Sequence, residues 1–322
     1  MAIVDGIEIL SPGLQTTVQD LGRHGFGRFG VAPSGALDSF ALRIANLLVD
    51  NPQDAACLET LLMGLRIKAL ADVTVAVTGA DLQPRLDKRP IPMWRSHEIK
   101  KGEILSFLGP VSGCRAYLAF CGGGIQVPVI MNSASTNLPS TFGGFRGRAL
   151  QPGDVLAFDL PPDGSQTVVR GLDPEQVPVY PDKWSLRVIW GPQEGDFPQS
   201  ERRVFINSNY TVSAESDRTG IRLDGPAIAR REDIPASIIS EGVILGSIQI
   251  PGDGKPIIIL GETVTGGYRK IATVISADLS LLGQIRPGDT VEFIPATLEE
   301  AGLALRQMEN QIAAIRRNSS RP

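Results

Sequence analysis

Most apolar positions of this chain fall in short runs separated by turn residues. Val73–Thr78, Ile104–Leu108, Arg115–Phe120, Val155–Phe158, Leu186–Trp190, Val243–Ile250, Pro256–Leu260, Ile271–Ser276 and Thr290–Ile294 are rich in Val and Ile and bounded by Gly, Pro or Asp. Such runs predict strands. Only two stretches repeat at helical spacing. In Ser34–Val49, Leu37, Phe40, Ala41, Ile44, Leu47 and Leu48 form one stripe, and Ser34 after Pro33 reads as its N-cap. In Leu298–Arg317, Leu298, Ala301, Leu305, Met308, Ile312 and Ile315 alternate steps of three and four, as in a packed amphipathic helix. A partner-binding helix is the other reading of that tail. The balance is β-rich, with helices at the periphery.

The strand runs also recur in order. Arg23–Gly30 aligns with Arg218–Gly225, Val75–Gly79 with Ile257–Gly261, and Lys100–Phe107 with Arg286–Phe293. A Gly-acid turn leading into a strand appears a third time at Pro152–Phe158. One such match is turn chemistry, but three in the same order predict two copies of one β-rich barrel unit. The segment Pro161–Asp182, dense in Pro, Gly and charge, reads as the linker between them. The expected division is a first unit over 1–165, a second over 183–296 and a helical tail over 297–322.

Residues 16–51 pack Gly22, Gly25, Gly27, Gly30 and Gly35 ahead of the first helical stripe. That density predicts tight turns with left-handed backbone. A loop of this kind delivered onto a helix N-terminus can cradle an anion. A structural loop closing a barrel is an equally good reading.

Composition narrows the class. The chain has 322 residues, 42% hydrophobic and 20% charged, with a formal net charge of −4. It has no basic surplus for a nucleic-acid partner and no unbroken apolar run long enough for a membrane helix. The first residues, MAIVDGIEIL, do not read as a secretory signal. Cys57, Cys114 and Cys121 are odd in number and widely spaced, which fits a cytoplasmic protein and supplies no zinc pattern. Only His24 and His97 are present, so no histidine-based metal site is expected.

Candidate chemistry lies in the Gly-rich stretches. Thr265-Gly266-Gly267-Tyr268 places a hydroxyl, two uncrowded amides and an aromatic ring within four residues, with Lys270 just beyond. Such a group can receive a carboxylate, carbamate or phosphate. A barrel corner turned by Gly-Gly, with Tyr268 in the core, explains the same residues. Further charges flank these loops: Asp20, Arg23, Arg28 and Asp38 in the first half, Asp217, Arg218 and Glu241 in the second. Each alone reads as a solvated or turn-capping group, as does Asp81. No Walker, dinucleotide or nucleophile-elbow motif occurs.

Several stretches together resemble one family: Pro12–Arg23, Phe29–Asp38, Ala45–Val49, Leu58–Thr60, Thr78–Asp81, Phe142–Arg148, Ser216–Arg218, Ser240–Gly242 and Thr265–Tyr268 through Ile275–Leu279. They are similar to the biotin-dependent carboxyltransferase-like family. Its members include the C-type subunit of prokaryotic 5-oxoprolinase, the Kip antagonist of sporulating bacteria, the so-called allophanate hydrolase subunit 2 and part of urea carboxylase. The resemblance implies two tandem cyclophilin-like β-barrel units with a few peripheral helices. It implies a B-type (KipI-like) partner subunit sharing the active site, and for 5-oxoprolinase a further LamB/YcsF-like subunit. That enzyme opens the lactam of 5-oxoproline to glutamate with ATP.

Two stretches depart from the family pattern. Asn132-Ser-Ala134-Ser-Thr136 stands where the family has Gly-Ser-Arg-Ser-Thr, and Glu262 stands where it has arginine. Each lost charge-assisted bond to an anion would weaken binding by about 1–3 kcal/mol. Three readings follow. One is a 5-oxoprolinase-type subunit. Another is a carboxyltransferase subunit acting on urea or a related amide with biotin carried by another protein. The last is a non-catalytic regulator that binds its B-type partner. Under the first, Asp38, Asp217, Glu241 and Lys270 are the catalytic candidates. Arg23, Ser34, Arg218, Thr265, Gly266, Gly267 and Tyr268 would bind the substrate or an anion.

Overall fold

The computed structural model describes residues 6–159 and 169–319. Part of the expected linker, residues 161–168, lies outside the described residues. Contacts divide the chain into two units. The first comprises Ser34–Tyr180 with the segment up to Arg23 and the end of the chain from Asn310; the second comprises Pro181–Glu309 with His24–Pro33.

In the first unit the strands are β1 (Gly6–Pro12), β2 (Gln15–Gln19), β3 (Cys57–Leu61), β4 (Leu65–Ala69), β5 (Val73–Asp81), β6 (Pro84–Leu86), β7 (Arg89–Pro90), β8 (Arg95–Ile99), β9 (Ile104–Phe107), β10 (Ser112–Phe120) and β11 (Val155–Ala157). They form a six-stranded sheet ordered β11-β1-β4-β9-β6-β7 and a five-stranded sheet ordered β2-β3-β10-β5-β8. Strands β5 and β10 are buried along nearly their whole length. That is why they read as unbroken apolar runs rather than alternating ones. Helix α1 (Ser39–Leu47) buries Phe40, Ala41, Leu42, Ile44, Ala45 and Leu47, and Thr78 of β5 donates its Oγ1 hydrogen to the Ala41 carbonyl at 2.7 Å.

In the second unit the strands are β12 (Lys183–Trp190), β13 (Tyr210–Val212), β14 (Gly220–Asp224), β15 (Glu241–Gly242), β16 (Ser247–Ile250), β17 (Ile257–Ile259), β18 (Thr265–Gly266), β19 (Arg269–Val274) and β20 (Thr290–Pro295). Seven of them close a barrel in the order β12-β19-β16-β17-β14-β13-β20, sealed by the parallel pair β12 and β20. The short strands β15 and β18 form a separate ribbon. Closure removes the edges that open sheets must protect. Helix α2 (Gln199–Asn207) inserts Phe205 against Phe293, with ring centroids 4.5 Å apart, and Tyr210 lies 5.7 Å from Phe293. Each buried aromatic of this kind contributes roughly 1.5–3 kcal/mol. Helix α3 (Leu298–Ser319) buries Ala304, Ile312 and Ile315, while Leu298 at its start is 76% exposed.

The mainly-β expectation holds, with a closed barrel and few helices. Three local expectations do not. The first helix starts at Ser39, not Ser34, because Ser34 (φ 53°) and Gly35 (φ 89°) are left-handed and cannot continue a right-handed helix. Asp38 is the N-cap in place of Ser34. Within Val243–Ile250 only Ser247–Ile250 pairs in the barrel, because Gly246 (φ 85°) turns the chain there. Arg23–Gly30 is a loop with one short 3-10 turn, whereas Gly220–Asp224 is a barrel strand, so those two stretches are not structural counterparts.

The Gly-acid turn does recur as one device. Gly102, Gly153 and Gly288 all have φ between 85° and 93°. The following acid in each case accepts from the backbone N–H three residues back: Glu103 from Lys100 at 2.7 Å, Asp154 from Gln151 at 2.7 Å and Asp289 from Arg286 at 2.9 Å. A strand follows each turn.

Candidate functional site

The ribbon of the second unit carries the densest set of expected residues. Glu241 lies opposite Gly266, and Gly242 opposite Thr265. Lys270, at the start of β19, has a side chain only 8% exposed, and its Nζ donates to Glu241 Oε1. It also reaches the Gly242 carbonyl at 3.4 Å. Gln193, in the turn after β12, ties the pair to the backbone. Its Oε1 accepts from the Lys270 N–H at 3.0 Å, and its Nε2 donates to Glu241 Oε1 at 2.7 Å. The Lys270 ammonium beside it, and then the Gln193 amide, hold the Glu241 carboxyl below the usual carboxylate range.

Gly266 approaches a neighbouring side chain closely. A Cβ there would lie 2.2 Å from Gln249 Nε2, which donates to the Tyr268 carbonyl at 3.4 Å. The Gly267 carbonyl accepts from the Ile238 N–H at 2.9 Å. Tyr268 is 41% exposed and not in the core, and Thr265 is exposed. The apolar residues Ile239 and Ile244 nearby in sequence are 95% and 67% exposed. Next to Tyr268, Arg269 turns inward, donating to Asp196 at 2.6 Å and to the Pro235 carbonyl.

Arg218 and Asp217 lie at the base of β14. Arg218 donates from Nε to Glu262 Oε1 at 3.1 Å, and both side chains are buried. Glu262, the acid at a departure from the family pattern, is therefore the ionic partner of the expected anion-binding arginine. Exposed Asp217 accepts from the Thr219 and Gly220 N–H groups at 2.7 and 3.0 Å, the geometry of a turn cap.

The first-unit candidates are tied into the fold. Asp38 is buried. Its Oδ1 accepts from the Ala41 N–H at 2.8 Å as the cap of α1, and its Oδ2 accepts from the Tyr180 hydroxyl at 2.9 Å. The Asp38 N–H donates to the Tyr117 hydroxyl oxygen at 2.8 Å, and that hydroxyl donates to Glu59 Oε2 at 2.7 Å. Burial, together with Glu59 and Asp38, pushes the Tyr117 phenol well above its usual range, so it stays a neutral donor. The N-terminus of α1 is thus capped internally by Asp38. Ser34 Oγ accepts from Asn137 at 3.0 Å. Arg23 donates to the Ser135 carbonyl and stacks 4.6 Å over the Phe142 ring.

Asp20 has a larger structural part than a loop-flanking charge. Its Oδ1 accepts from the Gly22 N–H, the Ser133 hydroxyl and the Ser135 hydroxyl at 2.7, 2.7 and 2.5 Å; its Oδ2 accepts from the Ala134 N–H at 2.5 Å. His24 is exposed, and Asp81 accepts from the Gln83 N–H at 2.9 Å as a turn group. Among the described residues no cluster of three or more His, Cys, Asp or Glu could hold a metal ion. No helix there is long and apolar enough to cross a membrane.

The second unit is a closed β barrel, and a buried Lys270 pairs there with the half-exposed Glu241 on a Gly-Gly ribbon. The chain belongs to the carboxyltransferase domain family, subdomains A and B, whose model matches residues 29–295. The C-type subunit of 5-oxoprolinase from Escherichia coli is 38% identical over 299 residues, 92% of this chain and 93% of that protein. The Haemophilus influenzae protein of the same name is 33% identical over 315 residues, 97% and 98% of the two chains. The crystal structure of Kluyveromyces lactis urea carboxylase superposes with a TM-score of 0.90 at 32% identity, over 100% of this chain. This chain spans 30% of that protein and 20% of the K. lactis urea amidolyase, which also superposes at 0.90.

Sequence reasoning singled out Lys270, Glu241 and the Gly-Gly stretch as candidates, and the structure brings them together with Gln193, which sequence reasoning did not single out. A neutral residue in a Gly-Pro turn has no periodicity or charge to mark it. The Glu262–Arg218 pairing was also missed, because 44 residues separate the partners.

Proposed function

We propose that this chain is a subunit of a 5-oxoprolinase-type enzyme that opens a cyclic amide and works as part of a heteromeric complex. The observation that carries this is alignment, at 38% and 33% identity, over 93% and 98% of the lengths of proteins named as that subunit. In this reading the Lys270–Glu241 pair and the Gly266-Gly267-Tyr268 ribbon face the substrate. Asp38 caps α1 and Asp217 caps the turn before β14. The B-type partner completes the site, a LamB/YcsF-like subunit joins it, ATP drives the ring opening, and the complex works in the cytoplasm.

The test is co-purification with co-expressed B-type and LamB/YcsF-like chains, followed by assay of glutamate release from 5-oxoproline with ATP. Glutamate formed in step with ATP hydrolysis is the expected result. ATP turnover indifferent to any lactam would overturn the reading. One observation favours a second reading, carboxyl transfer to urea or a related amide from biotin on another protein: the superposition on urea carboxylase at a TM-score of 0.90. Transfer from carboxybiotin to urea by the same complex would establish it.

A further inference from the structure

Gln193 is held so tightly that only one orientation of its amide is allowed. The Lys270 backbone N–H can only donate, and it lies 3.0 Å from Gln193 Oε1. The amide nitrogen must therefore face the other way, where Glu241 Oε1 receives it at 2.7 Å. The backbone around Gln193 is itself pinned: the Glu194 N–H donates to the Gly191 carbonyl at 3.2 Å, and the Asp196 N–H to the Gln193 carbonyl at 3.1 Å. Glu241 Oε1 thus takes two donors, Gln193 and the Lys270 ammonium. No described residue donates to Oε2, and the Glu241 side chain is 42% exposed.

We propose that Gln193 is a positioning residue that clamps one oxygen of Glu241 and so presents the other to an N–H donor of the substrate, an amide or ureido nitrogen. Without the clamp the carboxylate is free to rotate about its soft terminal torsion and turn both oxygens toward Lys270. A carboxylate only accepts hydrogen bonds, so a neutral N–H is attracted to Oε2 and an anionic group is repelled. Beside it lie Gly266, opposite Glu241, and the exposed Tyr268. The substrate side of this inference rests on the cyclic-amide reading above; the clamp itself does not.

The experiment is carboxylate carbon-13 NMR of the full chain, with Gln193→Ala, Gln193→Glu and, as a distant exposed control, Gln307→Ala. Gln193→Glu keeps an acceptor for the Lys270 N–H but loses the donor to Glu241. Both Gln193 variants are expected to move the Glu241 titration to higher pH, with the smaller loss of melting temperature in Gln193→Glu because it keeps the acceptor for the Lys270 N–H, and Gln307→Ala to leave the titration in place. Titration with 2-pyrrolidone, a neutral lactam, is expected to shift the wild-type Glu241 resonance, and acetate is not. The lactam response weakens about tenfold in Gln193→Ala, the order expected for one misplaced hydrogen bond to a charged group. A Glu241 titration in Gln193→Glu identical to wild type, or a resonance that ignores 2-pyrrolidone, would overturn the proposal. In the reconstituted complex, Gln193→Ala is expected to raise KM for the lactam about tenfold and leave that for ATP alone. A wild-type complex that turns over no lactam would remove the proposed function, and the NMR result would still decide the clamp.

Discussion

Arg218 and Glu262 form a buried ion pair: Nε stands 3.1 Å from Oε1, with the side chains 6% and 1% exposed. Removing one partner of such a pair leaves an uncompensated charge in the interior, which is far more destabilising than losing both. Glu262→Ala is expected to lower stability by about 3–5 kcal/mol. The double variant Arg218→Met with Glu262→Leu is expected to recover most of it. Chemical denaturation of the single and double variants checks this; additive losses would show that the two residues do not act as a pair.

Asp38 provides a second test, of fold against chemistry. Its two oxygens serve Ala41 and Tyr180, both within the first unit. Asp38→Ala is expected to cost about 1–2 kcal/mol for the helix cap alone, with more from the lost bond to the Tyr180 hydroxyl. Asp38→Asn keeps an acceptor for the cap and is expected to lose less. A variant with wild-type stability and no activity would instead return Asp38 to the catalytic set.

A side chain at Gly266 is predicted to displace the Gln249 amide. A Cβ at Gly266 falls 2.2 Å from Gln249 Nε2 and 3.1 Å from Val243 Cγ1. Gly266→Ala is expected to destabilise by roughly 1–3 kcal/mol through overpacking. Adding Gln249→Ser should restore part of the lost melting temperature, because the atom it displaces is the end of a flexible chain. No recovery in the double variant would place the strain in the backbone instead.

Acid sensitivity is expected at Asp154. Its carboxyl is held below the usual carboxylate range by Arg148, whose Nη1 and Nη2 donate at 2.7 and 2.8 Å, and then by the Gln151 N–H. A carboxyl with a depressed folded pKa stabilises the protein above its unfolded value, about 3.9, and loses that stability as pH falls through the folded value. The Arg148→Ala variant is therefore expected to melt below wild type at pH 7, with the gap closing below about pH 4. A gap that stays constant down to about pH 2.5 would exclude the pair as its source.

How much was legible beforehand varied by element. The strands β5, β10, β12 and β20 were readable because β-branched and other apolar residues cluster between turn signals. The Gly-acid turn was readable because its bonds span three residues. Strands β2 and β3 were not, since polar residues such as Thr16, Thr17 and Glu59 are buried in them by partners elsewhere: Thr16 Oγ1 meets Thr60 Oγ1 at 2.9 Å, and Glu59 meets Tyr117.

The sequence by itself determined the mainly-β class, the family, the turns that launch β9, β11 and β20, and Lys270, Glu241 and the Gly-Gly ribbon as candidates. Those follow from local patterns, in which the responsible residues are neighbours in the chain. Only the tertiary structure decided which charges are already taken. Asp38, a catalytic candidate, caps α1 and accepts from Tyr180. Glu262 occupies Arg218, and Gln193 crosses 48 residues to Glu241. A buried charge takes the partner that the fold brings within about 3 Å, and chain order does not encode that distance.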